Sequence, residues 1–285
     1  MVTVLGIPWD ENSSFMRGPA LAPSKIREAF HADSSNYFTE SGLNLKDHPH
    51  CRNEDDIIFK AGIDPIETIE KEVARVLQQS DKLFLLGGDH SVTFPIIKGF
   101  HSRYQDLTIL HIDAHGDLYD NFDNNPHSHA SPFARIMENG LAKKLVQVGI
   151  RTLNAHQREQ ANRFGVEVIE MKNWSSGFRL SADGQVYVSL DIDAIDPAFA
   201  PGVSHYEPGG FTSRDVISIL QNLNVNVVGA DLVEFNPTRD PSGITAMLAA
   251  KLYKEILDVL LRNSNDKRKT SCKTEFLDPT IARRL

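Results

Sequence analysis

Asp113, His115 and Asp117 fall at every second position of ILHIDAHGD (109–117), and Asp191 and Asp193 repeat that spacing in SLDID (189–193). Residues two apart in extended backbone share a face, so each set points one way. With His90, in GGDHS (87–91), the six supply four carboxylates and two imidazoles. TILHI, just ahead of Asp113, is apolar and β-branched, as expected of an interior strand. An isolated buried carboxylate costs several kcal/mol or more, so these acids need a compensating partner. Oxygen and imidazole donors without thiolate suit a hard or borderline cation such as manganese better than a structural zinc. Four carboxylates exceed what one divalent ion requires. Two ions ~3.5–4 Å apart, sharing aspartates, neutralise the set and acidify a water held between them.

A lone DxD or HxD motif usually marks a loop or a capped helix; the joint pattern at strand ends is what carries weight. Two rival motifs fail. DIDAIDP (191–197) resembles a calcium loop, but Asp196 occupies the sixth position, where glycine is required, and Gly202 the twelfth, where glutamate is required. LLGGDHS (85–91) lacks the Lys-Ser/Thr pair of a phosphate loop.

Strands must deliver these groups to one place. Short apolar runs predict strands at 2–7, 82–87, 107–113, 145–149, 166–170, 186–193 and 225–234, with helices near 23–31, 65–79, 93–102, 130–139, 156–163, 213–222 and 243–261. Such alternation predicts an α/β fold: one three-layer α/β/α domain over 1–261, with a mostly parallel central sheet. Ligands of such sheets collect beyond the carboxyl ends of the strands. His90, Asp113–Asp117, Asp191, Asp193 and Glu234 all stand at those ends.

The bulk numbers set limits. A chain of 285 residues, 41% hydrophobic, suits one large domain. Its net charge of −8 gives no footprint for nucleic acid or an anionic membrane, and favours a cationic substrate weakly. Cys51 and Cys272 form no CxxC pair and read as reduced thiols. The start, MVTVLGIPWDENS, has no basic leader, and no apolar run approaches the ~18 residues of a membrane span, so a soluble cytoplasmic protein is expected. Residues 41–56 read as a polar surface excursion. Residues 262–285 read as a polar, basic C-terminal tail, either solvated or packed on a neighbouring subunit.

GGDHS (87–91), DAHGD (113–117) and SLDIDAIDPAFAPG (189–202) resemble, in order, the three signature motifs of the arginase/agmatinase (ureohydrolase) family. The similarity runs from about residue 3 to 260 and includes SSFMRGPALAPSKIR (13–27). SHASPFARIME (128–138), GIRTLN (149–154), FGVEVIEM (164–171) and APGVSHYEPGG (200–210) are most similar to plant-type arginases and the bacterial agmatinase-like proteins grouped with them.

The resemblance implies an arginase-like fold and two Mn2+ per subunit. One would sit on His90, Asp113, Asp117 and Asp191, the other on His115, Asp113, Asp191 and Asp193, with Asp113 and Asp191 bridging. Asp89 is then a support rather than a ligand, and His111, one pleat deeper, a core histidine. Glu234 would pair with the guanidinium, Asp117 would orient the nucleophile and pass on its proton, and His129 would relay protons with solvent. The expected reaction releases urea from a small guanidino substrate. Agmatine leads, giving putrescine; arginine follows, giving ornithine, and guanidinobutyrate is third. Asn125 and Asn154 match asparagines of plant-type arginases and either bind a substrate carboxylate or cap their own loops. The remoter alternatives are a single-zinc deacetylase-like enzyme and a metal-binding relative without catalysis. The family also implies a homo-oligomer, a trimer or hexamer.

Overall fold

The computed structural model describes residues 1–262. The predicted tail beyond Arg262, with Cys272, lies outside the described residues. Among the described residues eight strands form one sheet: β1 (Val2–Gly6), β2 (Cys51–Asn53), β3 (Lys82–Leu86), β4 (Thr108–Ile112), β5 (Lys144–Ile150), β6 (Glu167–Glu170), β7 (Gln185–Asp191) and β8 (Asn226–Val233). Their order is β2-β1-β3-β8-β7-β4-β5-β6, and every pairing is parallel. The expectation of a mostly parallel sheet is therefore met in full. The segment read as a surface excursion differs in one respect: Cys51–Asn53 form the edge strand β2. It has no apolar run of its own and is defined by pairing with β1, Val2 opposite Cys51.

Among the described residues seven α-helices cover the sheet: α1 (Ala22–Phe30), α2 (Pro65–Leu77), α3 (Thr93–His101), α4 (Pro132–Glu138), α5 (Ala155–Phe164), α6 (Ser213–Gln221) and α7 (Ile244–Leu261). Local chemistry sets their starts. The Asp64 carboxylate accepts from the Ile66 N–H and Pro65 opens α2, while Thr212 and Asp215 form a reciprocal capping box on α6. Strand alternation then builds two cores. Phe84 and Leu86 face α1, α6 and α7; Leu83 and Leu85 face α2 to α5. None of these helices is long and apolar enough to cross a membrane.

One lateral row breaks the apolar rule for interior parallel strands. Gln147 on β5 lies opposite His111 on β4, His111 opposite Ser189 on β7, and Ser189 opposite Asp231 on β8. All four are completely buried. Two residues further along β4 and β7 come Asp113 and Asp191, so this polar row lies directly beneath them.

Candidate metal centre

His90 follows β3 in a short 3-10 turn capped by Asp89, whose carboxylate accepts from the Ser91 N–H at 3.0 Å. The other oxygen of Asp89 accepts from the Asn12 N–H, so Asp89 is a buried structural cap, as expected. Asp113 to Asp117 follow β4, with Asp113 Oδ1 accepting from the His115 N–H at 2.6 Å. Asp191 ends β7 and accepts from the Asp193 N–H at 2.7 Å. Glu234 follows β8. Asp117 and Glu234 have left-handed φ angles of 48° and 62°. That region is costly for residues other than glycine, by about 1–3 kcal/mol, and such strain concentrates where function over-determines the backbone.

The six predicted ligands converge. His90 Nδ1 lies 3.1 Å from Asp113 Oδ2, 3.1 Å from Asp117 Oδ2 and 3.2 Å from Asp191 Oδ2. His115 Nδ1 lies 3.0 Å from Asp193 Oδ2 and 3.5 Å from Asp113 Oδ1. Asp113 thus directs one oxygen to each histidine, as a bridging ligand must. His90 Nδ1 is buried without a well-formed hydrogen bond, although three carboxylate oxygens surround it. Donors ~2.1 Å from one ion at right angles stand ~3 Å apart, so the set fits a small divalent cation. Charge crowding points the same way: burial, then Asp193 and Asp113, push the Asp191 carboxyl well above its ordinary range. Burial also opposes the Asp113 charge, yet His111, His115 and His90 hold its carboxyl well below the usual range.

His111 Nε2 lies 2.6 Å from Asp113 Oδ2, near enough to be grouped with the ligands. Its role is different. The Gln147 amide nitrogen donates to the Gly116 carbonyl at 2.6 Å and to His111 Nδ1 at 3.0 Å. His111 Nδ1 is therefore an acceptor, and Nε2–H donates to Asp113.

Beside the ligands, Glu234 Oε1 accepts from the His90 N–H and meets His129 Nδ1, each at 2.9 Å. His129 Nε2 meets Ser14 Oγ at 2.8 Å. Burial opposes the charged form of His129, but Glu234, with Asp89 and Asp117 beyond it, prevails and lifts its pKa to about 9. Burial likewise opposes the Glu234 charge, and His129 more than offsets it, lowering that carboxyl. A cavity of about 180 Å³ opens over these groups, lined also by Tyr119, Thr152 and His205. The His205 ring sits 5.3 Å from that of His129 and 5.8 Å from that of His115. Burial, then the His129 charge, keep it neutral by lowering its pKa.

Asn125 and Asn154 are engaged in their own loops. Asn154 caps α5, accepting from the Gln157 N–H at 2.9 Å while its amide donates to the Tyr119 hydroxyl at 2.7 Å. Asn125 accepts from the His127 N–H at 2.9 Å and donates to Asn12 Oδ1 at 3.0 Å. This is the loop-capping alternative. Arg151 is also fully engaged locally: its guanidinium donates to the carbonyls of Asp193 and Glu207, tying three loops together beside the site. Sequence reasoning gave no role to Ser14, Gln147, Ser189 or Asp231. The signal for the last three was polar residues within apolar strand runs, the same signal that marked Asp113.

A parallel sheet with a carboxylate-rich centre at its carboxyl edge is the architecture of the arginase-type ureohydrolases. The chain belongs to the arginase family: the profile described as "Arginase family" matches residues 1–258. It is 47% identical over 271 residues to mitochondrial arginase 1 of Arabidopsis thaliana, covering 89% of this chain and 79% of the relative. It is 33% identical over 275 residues to an agmatinase of Bacillus cereus, covering 90% of each. The solved arginase of Medicago truncatula superimposes with a TM-score of 0.86 at 44% identity, over 91% of this chain and 87% of that one. The Arabidopsis relative's name places it in mitochondria, so it lends no support to the cytoplasmic expectation.

Proposed function

We propose that this chain is a manganese-dependent ureohydrolase that converts L-arginine to L-ornithine and urea. The observation that carries the chemistry is the double ligand set, in which Asp113 divides its oxygens between His90 and His115. A shared carboxylate of this kind favours two ions over the single zinc of a deacetylase-like site. Arginine replaces the agmatine expected from the sequence, because identity to an arginase is 47% against 33% to an agmatinase.

Two ions bound there supply the Lewis acidity that makes water a nucleophile at neutral pH. The chain does the rest. Glu234, anionic and facing the cavity, pairs with the substrate guanidinium and fixes its carbon over the ligand set. Asp117 orients the nucleophile and takes its proton. As the new C–O bond forms and the C–N bond to the side chain breaks, that proton passes to the departing amine nitrogen. His129 carries a proton at neutral pH and exchanges protons between the cavity and solvent through Nε2 and Ser14. Of the hydroxyls that line the cavity, Ser14 meets His129 and Thr152 donates to the Ala114 carbonyl, whereas Tyr119 accepts from Asn154 and keeps its own hydrogen for the substrate's amino-acid end.

The engagement of Asn125 and Asn154 within their loops favours a second reading, agmatine, which has no carboxylate to bind. Urea release by manganese-loaded protein, with arginine, agmatine and guanidinobutyrate at equal concentrations, tests the choice. A strong arginine preference is expected, and a preference for agmatine would reverse the assignment. Metal analysis checks for two Mn2+ per chain, and light scattering checks for the trimer or hexamer the family resemblance implies.

A further inference from the structure

A fully buried carboxylate in the middle of the sheet has no part in the proposed chemistry. Asp231 lies on β8, three residues before Glu234, with no exposure to solvent. Its Oδ2 accepts from the Thr93 hydroxyl and the Tyr187 hydroxyl, both at 2.9 Å. Its Oδ1 accepts from the Ser189 hydroxyl at 2.7 Å. Among the described residues no lysine or arginine pairs with it. A carboxylate here is sustained by three hydroxyl donors, and an apolar residue would be the ordinary occupant of such a strand.

Ser189 joins Asp231 to the metal centre. Its hydroxyl oxygen lies 3.0 Å from His90 Nε2, the ring nitrogen opposite the one that faces the three carboxylates. The directions of these bonds follow from chemistry. If His90 Nδ1 presents its lone pair to a cation, Nε2 must carry the hydrogen. Ser189 Oγ then accepts from Nε2–H, and its own hydrogen has one good acceptor within reach, Asp231 Oδ1. The chain of bonds runs one way, from ring to hydroxyl to carboxylate.

We infer that Asp231, acting through Ser189, is the positioning residue of the buried metal site: it fixes the ring orientation and tautomer of His90 and strengthens its donation to the ion. This inference rests on the reading of His90 as a ligand. Asp231 is no catalytic residue, since it touches neither the cavity nor any group that meets substrate. A carboxylate held behind a ligating histidine raises ligand basicity, and its loss typically lowers metal affinity ~10–100-fold. Only the ion on His90 is held through this relay. His115 takes no part, because its second ring nitrogen points to the rim, 3.7 Å from Glu207.

The test is calorimetric titration of the metal-free full chain with Mn2+, comparing the wild type with Ser189→Ala, Asp231→Asn, the double variant and Tyr187→Phe. Wild type is expected to take up two ions. Ser189→Ala and Asp231→Asn should each weaken one of the two steps by ~10–100-fold and leave the other near its wild-type value. The double variant should be no worse than the worse single one, because both act through the same ring. Tyr187→Phe removes a hydrogen bond from the same carboxylate without touching the link to His90. It should lower the melting temperature and leave both affinities unchanged. Ser189→Ala is a small change that keeps the conclusion within reach should Asp231→Asn fail to fold. Two unaltered affinities in Ser189→Ala would overturn the relay while leaving the metal assignment intact. An equal loss in Tyr187→Phe would also overturn it, reducing Asp231 to a support of the fold. A wild type that binds no ion pair would instead remove the reading of the site and the relay with it.

Discussion

His90 and His115 are both imidazoles facing a shared aspartate, yet they live in different surroundings. The His90 side chain is 1% exposed, and its outer nitrogen lies against Ser189 at 3.0 Å. The His115 side chain is 24% exposed, and Glu207, its nearest outer partner, lies 3.7 Å away, beyond hydrogen-bond range. One half of the centre is set into the sheet and supported from beneath; the other half is at the mouth of the cavity. The difference teaches how such a site can hold its ions and still admit a substrate. On the proposed function, the deep half would hold its ion away from solvent and the rim half would leave the open side to the substrate.

The harshest way to break this contrast is to remove what the halves share. Asp113→Asn takes a bridging charge from both, and should abolish urea production, by about 10³-fold or more, with loss of both ions. Two tightly held ions in that variant, measured by atomic emission, would contradict the bridging assignment. His129→Ala leaves both ligand sets intact and should slow turnover by ~10²-fold or more with metal content unchanged. Unaltered turnover would reduce His129 to a buried partner of Glu234 without a part in proton transfer.

A third experiment uses the metal-free protein. The folded pKa of His129, about 9, stands above its ordinary value of 6.5. The stabilisation it brings is therefore complete below pH ~6.5 and is lost as pH rises through about 9, on the order of 3 kcal/mol in all. Urea midpoints between pH 6 and 10 should fall accordingly, and His129→Asn should flatten that dependence. The smallest effect is expected at the rim. Glu207→Gln should lower the affinity of one ion less than about tenfold, because no formed hydrogen bond is lost. An effect as large as that of Ser189→Ala would erase the distinction between the two halves.

Much of this was legible before any coordinates. Seven of the strands follow from apolar runs, and Asp113, His115, Asp117, Asp191 and Asp193 from alternation, because a strand forces residues two apart onto one face. What stayed hidden depends on partners distant in sequence. Cys51–Asn53 become β2 only because β1 offers a free edge. Ser189 and Asp231 look like minor interruptions of their strands until β7 and β8 pair and bring them into line beneath His90. The roles of Asn125 and Asn154 turned on loop geometry, which residue type alone leaves open. Asp231 could have been found by the rule already applied to Asp113, that a carboxylate inside an apolar strand requires an explanation.

The strand order also bears on the history of each molecule as it is made. Among the described residues β8 is the last strand in sequence, but it lies in the middle of the sheet, between β3 and β7. Until residues 226–233 arrive, β3 and β7 present two bare edges, the kind of surface that recruits other chains. Glu234 and Asp231 come with the same strand, so the active centre is completed by the event that seals the sheet. The six ligands all precede β8 in the chain, so this strand brings Glu234 to a ligand set whose members are already made, and the open seam closes in the same step.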